Sequence, residues 1–147
     1  MSEPTKSKYT GPALPFQVGQ DLPSLNKGIT SVGMMAYAAA TWDFARFHYD
    51  ADYARSQGFP GAFVDGQMLG AFLAQLVQNW AGPVAFLQKL SFRNRAMVYP
   101  GDTLTCGGTV TALYQEKEET LVECNLWIKN QRQERVVYPA SATLCMS

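Results

Sequence analysis

Few residues in this chain can do acid–base chemistry near neutral pH. His48 is the one histidine. Asp43 stands five residues before it, in Trp42-Asp43-Phe44-Ala45-Arg46-Phe47-His48-Tyr49-Asp50. A carboxylate and an imidazole that converge can hold a water molecule and move its proton. On a regular helix, residues five apart point about 140° away from each other, so the two meet only if the backbone leaves the helix between them. Spacing alone keeps two readings open: a water-activating pair, or a surface or capping histidine beside a helix-capping aspartate. Gly66 follows Asp65 where the strongest helical pattern begins. Its N–H, at the positive end of that helix, suits an oxygen on which negative charge develops. Glycine also allows close approach to the backbone. The plainer reading of Gly66 is a turn glycine ahead of a helix.

Composition narrows the field. Twelve Lys plus Arg balance twelve Asp plus Glu, and no basic run occurs, so neither nucleic acid nor an anionic membrane is an expected partner. One histidine excludes H-E-x-x-H, Cys2His2 and multi-histidine metal sites, and no metal is expected. Cys106, Cys124 and Cys145 are odd in number and form no C-x-x-C; reduced thiols serving as small core hydrophobes are expected. The Pro-rich start, Met1 to Pro15, lacks the apolar run of a signal peptide, and a cytoplasmic location is expected. Gly66 to Gln88 carries no charge, but Gln67, Gln75, Gln78, Asn79 and the Gly82-Pro83 break argue against a membrane span.

The elements that must position these groups follow from periodicity. Residues 1–24 read as a proline-rich arm and 25–147 as a single domain. Leu25 to Val32 is a short strand, Met34 to Trp42 a short helix, and Asp50 to Ser56 a helical turn capped by Asp50 and stopped at Gly58. Leu69, Phe72, Leu73, Leu76, Val77 and Trp80 fall on one stripe, predicting a helix from Gly66 to Asn79 capped by Asp65. The period then becomes two: Gln88 to Ala96, Thr103 to Leu113 with a bend at Gly107-Gly108, Val122 to Ile128, and Val136 to Leu144. Strands collected at the C-terminal end predict an α+β domain, an antiparallel sheet of about five strands wrapped around one long central helix.

Asp43, His48, Asp50, Tyr53-Ala54, Gly58-Phe59 and Asp65-Gly66, followed by Val98-Tyr99-Pro100-Gly101-Asp102-Thr103-Leu104, resemble in order and spacing the motifs of the MaoC-like (R)-specific enoyl-CoA hydratase family. The resemblance covers about residues 25 to 145. It implies the hot-dog fold and reversible hydration of a trans-2-enoyl thioester, with coenzyme A thioester as substrate and no cofactor. It also implies that Asp43 and His48 are the catalytic pair and Gly66 the oxyanion donor, and that the protein is a homodimer or a higher hot-dog oligomer, or a heteromer. Three positions depart. Ala45 and Arg46 replace the family's Asn and Pro, as in some small hydratases of bulky acyl groups, steroid side-chain thioesters among them. Asp65 replaces a histidine, putting a carboxylate near the developing negative charge. Phe59, Phe63, Met68 and Phe72 are the candidate acyl-pocket residues, and Asp65 is a further candidate for substrate binding; Arg93 and Arg95, placed on one strand face, are candidates for the coenzyme A phosphates. Three rivals remain: a thioesterase, for which the central helix lacks the expected carboxylate; a non-catalytic or partner subunit; and a small ligand-binding domain.

Overall fold

The computed structural model describes residues 7–8, 14 and 16–146. The elements run β1 (Ser7–Lys8), β2 (Leu25–Gly28), α1 (Ser31–Thr41), a 3-10 turn (Arg46–His48), α2 (Ala51–Ser56), α3 (Gly66–Ala81), β3 (Ala85–Asn94), β4 (Thr103–Glu116), β5 (Glu119–Lys129) and β6 (Arg135–Met146). Among the described residues the six strands form one antiparallel sheet ordered β1-β4-β5-β6-β3, with β2 also on β4. β1 pairs with Gln115 and Tyr114, whereas β2 pairs with Thr103 to Cys106. The two short strands therefore share one flank of β4, and the sheet is five positions wide. This is the α+β arrangement expected, with α3 against the sheet.

The α3 stripe explains the packing. Leu69, Gly70, Leu73, Leu76 and Val77 are buried, and meet Leu104, Cys106, Val122, Cys124, Ile128, Val137 and Leu144 in the core. Alternation on β5 puts Val122, Cys124, Leu126 and Ile128 inward, as the sequence predicts. Some local details differ from expectation. The Leu25–Val32 strand ends at Gly28, and Ser31 already begins α1, whose cap is Thr30 accepting from the Gly33 N–H at 3.0 Å. Gly107 and Gly108 lie in an unbroken stretch of the β4–β5 ladder; the register shift falls between Val110 and Ala112. The glycines make room instead. A Cβ on Gly107 would stand 2.4 Å from the Trp127 ring, and one on Gly108 2.4 Å from the Asn125 carbonyl oxygen.

The part of the arm from Phe16 to Ser24 runs along β4. Gly19 and Leu22 donate to the Val110 and Gly108 carbonyls at 2.8 Å each, and Phe16 and Leu22 join the core. Residues 1–6, the first stretch of the expected arm, lie outside the described residues.

Candidate active site

The site begins where α1 stops. Trp42 adopts a left-handed conformation with φ 59°, uncommon for a bulky residue, and the chain leaves the helix there. Asp43 thus sits beyond the helix, and His48 closes a 3-10 turn, so the 140° divergence of a continuous helix does not arise. The turn is held without Asn or Pro. Arg46 bonds Asp50 at 2.9 Å and lies 4.2 Å over the Tyr53 ring. Tyr49 donates its hydroxyl to the Phe44 carbonyl at 3.0 Å, and the Ala45 N–H donates to Asp43 at 3.4 Å. Asp50 also caps α2 through the Tyr53 N–H at 3.0 Å.

His48 Nδ1 lies 2.9 Å from the Phe63 carbonyl oxygen. A carbonyl only accepts, so Nδ1 carries the proton and, in the neutral ring, Nε2 is a bare acceptor. Nε2 faces Asp65 Oδ2 at 4.0 Å. Among the described residues, Asp43, His48 and Asp65 are the one group of three His, Cys, Asp or Glu side chains placed to share a small ligand, with the facing atoms all within 4.8 Å of one another. Asp65 caps α3 by accepting from the Gln67 N–H at 3.0 Å. Its other oxygen, Oδ2, is buried with no hydrogen-bond partner. Burial, and next the neighbouring Asp43 carboxyl, push the Asp65 carboxyl above the usual carboxylate range. The Asp65 carboxyl beside it, and next the Ala45 N–H, hold Asp43 below that range.

Gly66 begins α3 beside this cluster. A Cβ there would come within 2.3 Å of Asn94 Nδ2, so the Asn94 amide of β3 lies against the Gly66 backbone. His48 also lines a cleft of about 380 Å³ with Met34, Met35, Tyr49, Arg55, Ala62 and Tyr99 among its walls. The second motif builds that wall. Val98 accepts from the Val64 N–H at 2.8 Å, and Gly101 turns the chain at φ 96° while its N–H bonds Ile29.

Asp43, His48, Asp65 and Gly66 are therefore together. Phe59 packs edge-on and Phe63 stacks against Phe47, with ring centroids 5.6 and 5.5 Å from it; Phe63 also meets the His48 ring edge-on at 5.4 Å, so the two brace the His48 turn. Met68 and Phe72 are half-buried against the core. Arg93 is exposed on β3. Arg95 lies just past the strand end rather than beside Arg93 on one strand face, and its Nε bonds the Tyr138 carbonyl at 2.8 Å. Sequence reasoning missed Arg55, a cation in the cleft wall, and Asn94. It also missed Tyr37, whose hydroxyl is pushed to higher pKa by burial and then by the charges of Asp65 and Asp43. None of the three belongs to a local motif; each arrives from another element.

A MaoC-like domain matches residues 16–130. The chain belongs to the MaoC-like family. Among its MaoC-like relatives is the 3-oxo-4,17-pregnadiene-20-carboxyl-CoA hydratase beta subunit of Mycobacterium tuberculosis, 34% identical over 96 residues, which are 65% of this chain and 74% of that one. An (R)-specific enoyl-CoA hydratase of Aeromonas caviae is 31% identical over 105 residues, 69% of this chain and 76% of the relative. The same MaoC-like, hot-dog architecture appears in the ChsH1–ChsH2 complex from Mycobacterium tuberculosis, with a TM-score of 0.80 at 30% identity over 89% of this chain and 98% of that chain. The (R)-hydratase of A. caviae superposes with a TM-score of 0.82 at 24% identity, over 92% of this chain and 100% of that chain.

Proposed function

We propose that this chain catalyses the reversible syn addition of water across a trans-2-enoyl coenzyme A thioester, giving the 3-hydroxyacyl thioester. The observation that carries the reading is the convergence of Asp43 and His48 at the amino end of α3, beside Gly66 and a cleft that His48 lines. The names of the relatives, hydratases of enoyl thioesters, support it.

One water bridges the Asp43 carboxylate and His48 Nε2. One of the pair accepts its proton as the oxygen attacks C3, and the pair returns a proton to C2 on the same face. Water, thioester and the two side chains account for every atom that moves. Charge collects on the thioester oxygen as an enolate. The Gly66 N–H has no protein partner among the described residues and sits at the positive end of a 16-residue helix, where it can receive that oxygen. Arg55, on the cleft wall, is the cation best placed for the coenzyme A phosphates.

Assembly belongs to the same reading. β3 pairs with β6 on one side, and its other edge has no strand among the described residues. On α3, Gln67, Ala71, Gln75 and Asn79 form an exposed stripe without charge. A second copy that continues the sheet at β3 and covers α3 would remove both. A heteromer is the second reading, favoured by the likeness to a beta subunit. The three free cysteines support a reducing, cytoplasmic setting.

The test is incubation of the purified protein with crotonyl-CoA and longer or branched trans-2-enoyl-CoAs. Loss of the conjugated thioester absorbance without thiol release supports hydration. Release of free thiol points to the thioesterase, against which stands the lack of any carboxylate on α3 beyond its Asp65 cap.

A further inference from the structure

Asp65 presents an unsolved local problem. The residue is only 9% exposed. One oxygen is committed to the Gln67 N–H, and the other is buried without a partner and turned toward Asp43 and His48. Two ionised carboxylates can only repel; with one proton between them, one donates to the other. His48 cannot supply that proton in its neutral form, because the Phe63 carbonyl fixes the ring hydrogen on Nδ1 and leaves Nε2 bare. The groups that face Asp65 are Asp43 from the segment after α1, His48 from the 3-10 turn and the Tyr37 side chain from α1. Asn94 of β3 lies against the neighbouring Gly66 and is neutral. Among the described residues none of these brings a permanent positive charge.

We infer that Asp65 is a positioning residue that carries the proton shared by the two carboxylates and donates it to Asp43, leaving Asp43 as the ionised member that holds the reacting water. The more buried group takes the proton because the charged form loses most there. Burial and the closeness of the two carboxyls move the groups in the directions this requires, Asp65 up and Asp43 down. Two consequences follow. The carboxylate that replaces a histidine ahead of Gly66 adds no second negative charge near the enolate. The pair also works within a pH window. As pH rises through the raised pKa of Asp65, the shared proton leaves, Asp43 loses its fixed partner, and turnover falls.

The kinetic arm of the test rests on the hydratase reading; the spectroscopic arm does not. Infrared difference spectra of substrate-free wild type minus Asp65→Asn should show a protonated-carboxyl stretch that persists at pH above the normal carboxylate range and disappears on further alkalinisation. No such band above the normal carboxylate range would overturn the inference. In kinetics with crotonyl-CoA, Asp65→Asn keeps an N–H donor at every pH and should hold kcat within about tenfold while losing the alkaline limb of its pH profile. Asp65→Ser still caps α3 but is too short to reach Asp43, and should lower kcat by about tenfold or more with little change in KM. Equal losses in the two variants, or an unaltered alkaline limb in Asp65→Asn, would also overturn it. Inactivity of the wild type on every enoyl thioester would defeat the hydratase reading while the infrared band still decides where the proton sits.

Discussion

The imidazole of His48 is useful only because its tautomer is fixed. Phe63 holds Nδ1–H at 2.9 Å, so the nitrogen facing Asp43 and Asp65 is the acceptor. Removing either member of the pair should remove the water's base. Asp43→Asn and His48→Ala are each expected to lower kcat at least about a hundredfold, measured by the initial rate of enoyl-CoA hydration with folding checked by circular dichroism. A near-normal rate in either variant takes that residue out of the mechanism. Asp43, His48 and Gly66 were legible at this scale because they lie in one short segment with recognisable order. Tyr37, Arg55 and Asn94 were not, since tertiary packing alone brings α1, α2 and β3 to the site. Asp65 was visible as a helix cap. Its second, orphaned oxygen was not, because burial of a single atom leaves no mark in sequence.

At the scale of elements, α3 does two jobs, filling the core with one stripe and presenting its amino end to the site. Its fit against β3 is close: a Cβ on Gly70 would stand 2.4 Å from the Phe92 ring. Gly70→Ala gains helix propensity but overpacks this contact, and should destabilise the fold by about 1–3 kcal/mol. Urea unfolding reads this as a lower midpoint at unchanged m-value; an unchanged or higher midpoint would contradict the packing described. The α3 stripe and the inward face of β5 were legible because their periods are strong. The start of β3 at Ala85 rather than Gln88 was not, because a register shift between Leu87 and Lys89 interrupts its alternation. The Arg46 clasp that replaces Asn-Pro was also hidden, since it depends on Asp50 and Tyr53 meeting one side chain in space.

For the whole molecule, zero net charge leaves the coenzyme A phosphates of the proposed substrate to local cations, with Arg55 in the cleft wall the candidate. No described helix is long and apolar enough to cross a membrane. The open β3 edge and the uncharged stripe of α3 predict self-association: sedimentation equilibrium should give a mass of twice 16.2 kDa or a higher multiple, and a monomer at micromolar concentration would contradict it. Fold class was readable from the order of periods along the chain, whereas the sharing of β4 by β1 and β2 depends on a long-range pairing that no local pattern announces. Water addition itself can be read in a single experiment. Wild type and Asp43→Asn are mixed with trans-2-enoyl-CoA while conjugated absorbance and free thiol are followed together. The wild type is expected to bleach the absorbance to an equilibrium without releasing thiol, and the variant to be at least about a hundredfold slower. Thiol release, or no wild-type bleaching with any enoyl chain, would contradict it.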